Sequence, residues 1–283
     1  MPERIVVIGA SGQVGRFLAG RLAGREVLAL ASAQWDITDP VAGQHFLRPG
    51  DVVVNCAALT AVDHAEADPG RAFAVNAGGA GNVARACAAV DARLLHISTD
   101  YVFSGRFDGA PRPYQVDDPT EPISVYGRSK RDGELAVLAE LPQAQVLRTA
   151  WVYTGSGTDF VATMARLAAG DGVVDVVADQ IGSPTYVGDL VAAIIELIDR
   201  PVAAPVLHIA NEGAASRYEQ ARMVFAGVGA DPDRVRPVSS AVHPRPAARP
   251  QYSALSVTRF AELGGTPMRS WQAGLTAALE ALD

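Results

Sequence analysis

Short apolar runs alternate with longer amphipathic stretches along the first half of the chain. The segments 4–8 (RIVVI), 26–30 (EVLAL), 51–55 (DVVVN), 93–98 (RLLHIS) and 144–149 (AQVLRT) are brief, rich in Val, Ile and Leu, and lack strict polar alternation. That pattern predicts strands buried on both faces, as in a parallel sheet. Between them, 14–23, 70–90 and 126–139 carry helix-period patterning. The rhythm predicts a doubly wound α/β sheet.

After residue 150 the rhythm loosens. A strand is expected at 173–178, a helix at 186–199 and a further strand at 206–211, and the Pro- and Arg-rich tail from 231 is expected to be dominated by loops. The expected organisation is a dinucleotide-binding domain over 1–150, completed by part of 172–210. A smaller C-terminal α/β lobe is expected mainly over 151–283, interleaved with the first and serving the substrate.

The first apolar run flows directly into GASGQVG, which places Gly9, Gly12 and Gly15 between a strand and a helix. A tight turn, close backbone approach and free helix N–H groups suit the diphosphate of a dinucleotide, so the expected fold is of the Rossmann type. A plain glycine-rich turn would look the same in isolation. The second strand ends in Ala31 and Ser32, where a carboxylate would grip the 2′-hydroxyl of NAD. Nothing there repels a 2′-phosphate, and Arg16 follows the third glycine, so NADPH is the expected cofactor, with NADH as a second possibility. Asp36, with Ile37 beside it, is a candidate to face the adenine; a turn or helix-cap aspartate is the alternative.

Composition narrows the chemistry. The chain has 283 residues and a net charge of −7, which argues against general nucleic-acid binding. Its start leaves no room for a signal peptide, and no apolar stretch approaches a membrane span, so a cytoplasmic protein without membrane association is expected. The two cysteines, Cys56 and Cys87, have no paired spacing, and the five histidines show no metal-ligand spacing. No catalytic metal is expected.

One residue stands apart. Of 24 Lys and Arg residues, Lys130 is the only lysine. It lies four positions after Tyr126 in VYGRSK, on one face of the expected helix. An ammonium beside a phenol favours the ionised form and would bring its pKa toward a catalytic range. A compact ammonium also reaches ribose hydroxyls that a planar guanidinium fits poorly. The fourth strand ends in Ser98, Thr99, Asp100 and Tyr101, so a hydroxyl from Ser98 or Thr99 is expected near a substrate carbonyl.

The glycine loop, NCAALTAVDHAE, VNA, STDYVF, VYGRSK, LRTAWVY and DQIGSPTY occur in this order across most of the chain. Together they resemble the extended short-chain dehydrogenase/reductase family, and in particular its members that reduce 4-keto-6-deoxy sugar nucleotides. The resemblance implies hydride transfer from NADPH to C4 of a dTDP-linked keto sugar. It implies that Tyr126 donates a proton, Lys130 binds the nicotinamide ribose, and Thr99 polarises the carbonyl. Gly12, Gln13 and Val14 would lie along the cofactor, and Ala57, Ala58 and Thr60 would follow the third strand toward it. Thr60, Val62, Asp100, Tyr101 and Trp151 would border the sugar, and a homodimer is expected by analogy. Tyr252 stands before Ser253 where the family usually has asparagine, which leaves that segment's substrate contacts open. Arg245 and Arg249 are candidates for the diphosphate. Reduction of a different dTDP-deoxysugar, or a non-catalytic role like that of the regulatory subunit of methionine adenosyltransferase, also stays open at this level.

Overall fold

A computed structural model describes residues 4–281. Five strands, β1 (Ile5–Ile8), β2 (Val27–Leu30), β3 (Val52–Asn55), β4 (Arg93–Thr99) and β5 (Gln145–Thr149), join the strand Val206–His208 in one sheet. Every pairing in it is parallel. From one edge the order is Val206–His208, β5, β4, β3, β1, β2. The chain leaves β1 toward β2 and then crosses to β3 on the other side. The carboxyl ends of β1 and β3 therefore flank a switch point, where ligands bind in such sheets.

Side chains alternate across the sheet with period two. Ile5, Val7, Val52 and Val54 enter one core layer with Leu18 of helix α1 (Gln13–Arg21) and with Leu190, Val191 and Ile194 of the helix Val187–Asp199. Val6, Ile8 and Val53 enter the opposite layer with Val83, Ala84 and Cys87 of the helix Ala80–Ala89 and Val137 of the helix Val125–Glu140. Covered on both faces, β1 and β3 are fully buried.

The expected helix over 70–90 is interrupted. It runs as Pro69–Phe73, a π-helical stretch Ala74–Gly79 and then Ala80–Ala89. The widened turn holds buried Asn76, whose Nδ2 donates to the Leu59 carbonyl (3.0 Å) and to Ser129 Oγ (2.9 Å), while its Oδ1 accepts from the Leu59 amide (2.8 Å). One side chain thus ties the loop after β3 to the helix that carries Tyr126.

The second half of the chain divides between two cores. The helix Val187–Asp199 and the strand Val206–His208 return to the sheet, whereas the helices Phe160–Ala168, Arg217–Gly227 and Trp271–Glu280 close around Tyr153, Met164, Phe225 and Leu275. The tail is less irregular than the sequence suggests, because Val235–Val238 pairs in parallel with Val174–Val177. Pro237 is tolerated there because the two-stranded ribbon leaves an edge whose N–H needs no partner. Among the described residues no helix is long and apolar enough to cross a membrane.

Candidate active site

The turn after β1 is built by lack of side chains. Gly9 has φ +75°, and a Cβ on it would lie 2.6 Å from the Ala57 nitrogen; a Cβ on Gly15 would lie 2.3 Å from the Gly9 carbonyl oxygen. The loop can therefore press against the end of β3 only with glycine at both positions. Gly12 caps α1 without a side-chain hydrogen bond, so the first-turn N–H groups face outward with the positive end of the helix dipole.

These N–H groups open on a cavity of about 370 Å³ at the switch point. Gly12, Gln13 and Val14 form one end; Ala58, Thr60 and Val62 enter after β3, and Thr99, Asp100 and Tyr101 enter after β4. Tyr126, Lys130 and Trp151 complete the wall. Five of the cofactor candidates from the sequence lie elsewhere. Gly9 and Gly15 shape the turn from within, and Ala57 packs on Gly9 while its amide donates to Asn55 Oδ1 at 3.0 Å. Ile37 is buried against Gly79. Asp36 is exposed and accepts from the amide (3.0 Å) and hydroxyl (2.8 Å) of Thr38, bonds that hold its carboxyl below its ordinary pKa.

The helix Val125–Glu140 seats Tyr126 and Lys130 by close backbone packing. Ser124 caps it through a bond from the Gly127 amide (3.1 Å), and the Val125 amide donates to Glu66 Oε1 (2.8 Å). A Cβ on Gly127 would fall 2.2 Å from the Tyr101 carbonyl, and one on Gly133 would fall 2.1 Å from the Asn76 carbonyl. The two glycines fix how far the helix can move. Tyr126 packs edge-on against Tyr101, with ring centroids 5.6 Å apart.

The electrostatics of the pair differ from the sequence expectation. Lys130 is 2% exposed; its Nζ donates to the Ile97 carbonyl at 2.7 Å and lies 3.5 Å from His96 Nε2. Burial pushes its pKa down to about 8, against the opposing pull of the Glu134 carboxylate. Rather than being lowered by the ammonium, the Tyr126 phenol is raised well above its ordinary value by burial. Asp100 and Tyr101 add to that rise, and Thr99 acts in the lowering sense. The desolvation of a site closed by the sheet outweighs the charge one helical turn away. At neutral pH Tyr126 is protonated.

The two candidate hydroxyls at the end of β4 are separated by their partners. Ser98 Oγ donates to Glu134 Oε1 at 2.6 Å, and Glu134 is held by buried Arg148 at 2.8 and 2.9 Å. Both Ser98 and Thr99 line the cavity, but Thr99 Oγ1 donates to Asp100 Oδ1 at 3.1 Å and accepts from the Tyr101 amide at 3.1 Å. Asp100 is buried, and its pKa is pushed up to about 6 by desolvation, tempered by hydrogen bonds from Ser253 and Thr99. Trp151 takes φ +47°, a left-handed conformation unusual for a bulky residue, and its indole covers Gly182, where a Cβ would lie 2.4 Å from Cε2.

Sequence reasoning missed several cavity residues, Cys56 and Arg217 among them. Cys56 lines the floor as a neutral thiol, its pKa pushed up to about 12 by burial. Arg217, the first residue of the helix Arg217–Gly227, lies with its guanidinium 3.6 Å from the Trp151 ring centroid. Cys56 falls within NCAALTAVDHAE, where only its neighbours were candidates, and no quoted motif contains Arg217.

The chain is similar to known proteins along nearly its whole length. The family described as the RmlD substrate binding domain matches residues 3–283. The chain is 59% identical to the dTDP-4-dehydrorhamnose reductase of Mycolicibacterium smegmatis over 100% of this chain and 86% of that protein. It is 60% identical to that of Mycobacterium tuberculosis (H37Rv) over 99% and 93%. The crystal structure of a dTDP-4-dehydrorhamnose reductase from Bacillus anthracis str. Ames in complex with NADP matches with a TM-score of 0.93 at 37% identity, covering 99% of this chain and 100% of that one.

Proposed function

The chain belongs to the RmlD substrate-binding-domain family, and from that membership we propose how its own residues carry out the family's reaction. The protein is an NADPH-dependent sugar-nucleotide reductase that converts the C4 keto group of dTDP-4-dehydro-L-rhamnose to the alcohol of dTDP-L-rhamnose. One observation carries the mechanistic reading. Tyr126, Lys130 and Thr99 line the same cavity as the uncapped start of α1.

The residues fit a dinucleotide. The turn at Gly9 and Gly15 is closed by backbone where any Cβ would sit, and the free N–H groups of α1 suit a diphosphate. The loop after β2, with half-buried Ala31 and exposed Ser32, brings no carboxylate toward a 2′-phosphate. Lys130 would hold the ribose next to the nicotinamide, aimed by its bond to the Ile97 carbonyl. NADPH supplies the hydride that reaches C4.

The remaining work belongs to side chains. Thr99 orients the C4 carbonyl oxygen from the end of β4, and Tyr126 gives its phenolic proton to that oxygen as negative charge develops. A phenol kept protonated by burial is in the correct state to donate. Lys130, one turn along the same helix, places positive charge where the phenolate forms. Trp151 offers an apolar face to the sugar, and Asp100 and Tyr101 border it with Thr60 and Val62. The same reading makes the protein cytoplasmic and homodimeric; sedimentation at assay concentrations tests the latter.

The deciding experiment follows nicotinamide absorbance after mixing protein, NADPH and dTDP-4-dehydro-L-rhamnose, with Tyr126→Phe run beside it. The expected result is rapid oxidation by the parent and loss of about 100-fold or more in the variant. A parent that binds NADPH yet leaves this substrate unreduced overturns the substrate; a fully active variant overturns the proton donor.

A further inference from the structure

Arg217 is a half-buried cation facing the cavity, with no ion pair to an acid among the described residues. Its one hydrogen bond among the described residues runs from Nη1 to the Gln220 side-chain oxygen at 3.1 Å, and no carboxylate lies within ion-pair reach of it. The guanidinium carbon lies 3.6 Å from the Trp151 ring centroid and 4.8 Å from the Phe160 ring centroid. These ring contacts restrict the side chain, which lines the cavity. Burial lowers its pKa to about 10, outweighing the opposing pull of Tyr101 and Asp100.

Nearby charge offsets it only in part: Tyr101 and Asp100 favour the cation, and Arg249 opposes it. Arg249 donates to both oxygens of Asp63 at 3.0 Å, and Arg245 donates to the same carboxylate at 2.7 and 3.0 Å. Two guanidinium groups on one carboxylate leave a surplus positive charge. The field of Arg249 is felt at both Arg217 and Tyr101. Asp100, whose field reaches Arg217, accepts from Ser253 Oγ at 2.5 Å and Thr99 Oγ1 at 3.1 Å rather than from the guanidinium.

We propose that Arg217 is the direct ligand of the substrate's diphosphate, stacked on Trp151 so that the sugar ring and its first phosphate meet adjacent parts of one platform. This rests on the reductase reading above and deepens it. A sugar–nucleotide diphosphate is the anionic part of that substrate; the hexose is neutral and offers nothing to discharge a cation. A planar fork suits two phosphate oxygens better than a point charge. Arg245 and Arg249 contribute field from the rim, their donors largely taken by Asp63.

The test uses full-length parent, Arg217→Gln and Arg217→Lys. Binding of dTDP, thymidine and NADPH is measured by calorimetry, and steady-state kinetics are run with dTDP-4-dehydro-L-rhamnose. The expected outcome for Arg217→Gln is dTDP affinity weaker by roughly 10- to 100-fold, with KM raised to match. Its thymidine and NADPH affinities are expected to stay close to the parent's, and Arg217→Lys is expected to recover part of the dTDP loss. Unchanged dTDP affinity in Arg217→Gln overturns the inference. If kcat falls at the same time, the guanidinium reads the sugar; if only the melting temperature falls, it is a strut for Trp151. A parent that turns the substrate over in either case leaves the reductase reading standing, whereas a parent that neither binds dTDP nor reduces the sugar overturns both.

Discussion

Ser253 donates its hydroxyl to Asp100 Oδ2 at 2.5 Å, across 153 positions of sequence. The bond joins the C-terminal segment to the end of β4, one residue from Thr99. It also shows what Ser253 does in a segment where Tyr252 replaces the family's usual asparagine. Tyr252 itself is half-buried and packs edge-on against Phe107, with centroids 5.7 Å apart.

Ser253→Ala is therefore expected to destabilise the protein more at pH 8 than at pH 5. At pH 8 Asp100, with a pKa of about 6, is ionised and loses a donor that its buried charge needs. Hydrogen bonds to charged groups contribute about 1.5 to 3 kcal/mol. Denaturant melts at the two pH values measure the difference; equal losses would show that the carboxylate does not depend on Ser253.

Asp100 makes a separate prediction about pH. Its pKa is raised from 3.8 to about 6 on folding, so its contribution to stability is complete below the unfolded value and is lost as pH rises through the folded value. Asp100→Asn removes this loss. Relative to the parent, the variant should gain stability between about pH 4 and pH 6 and then hold a plateau, worth up to about 3 kcal/mol by linkage. A difference that does not vary with pH contradicts the assignment.

Lys130 should set an alkaline limit on cofactor capture. With its pKa lowered to about 8, it loses its charge as pH rises through that value. The kcat/KM for NADPH, which reports the free enzyme, is expected to fall with a midpoint near 8. Lys130→Arg should not restore the neutral-pH rate, since the site is closed around a narrow side chain. An alkaline limb that stays flat to pH 10 would show that this ammonium is not required.

Two glycines should respond in opposite directions. Gly133→Ala forces a Cβ to 2.1 Å from the Asn76 carbonyl, with backbone on both sides of the contact. It should cost about 1 to 3 kcal/mol and displace the helix bearing Tyr126 and Lys130, lowering kcat. In α1, a Cβ on Gly20 meets nothing within 4 Å, so Gly20→Ala should add up to about 1 kcal/mol with activity unchanged. Thermal melts and turnover on the pair separate helix propensity from packing.

The buried Glu134–Arg148 pair engages the hydroxyl of Ser98, a residue that lines the cavity. Glu134→Gln leaves Arg148, 4% exposed, without its counter-charge, and should cost about 3 to 5 kcal/mol. A near-neutral effect in urea melts would mean that the guanidinium finds a new acceptor.

Much of the architecture is written locally. The apolar runs at 4–8 and 51–55 form strands because residues covered on both faces need no polar alternation, and Gly9 and Gly15 mark a turn that no Cβ could enter. The Tyr126 and Lys130 spacing is a helix-period fact, legible because helical neighbours four apart share a face. Electrostatics are different. The upward shift of Tyr126 and the downward shift of Lys130 arise from desolvation by surrounding elements, and dielectric environment has no signature in a six-residue string. The committed partners of Ser98, the bond from Ser253 to Asp100 and the stacking of Arg217 on Trp151 join positions 36, 153 and 66 apart. Sequence determined which groups are available for the chemistry; only folding, by excluding water and bringing distant segments into contact, decided their charge states and their neighbours.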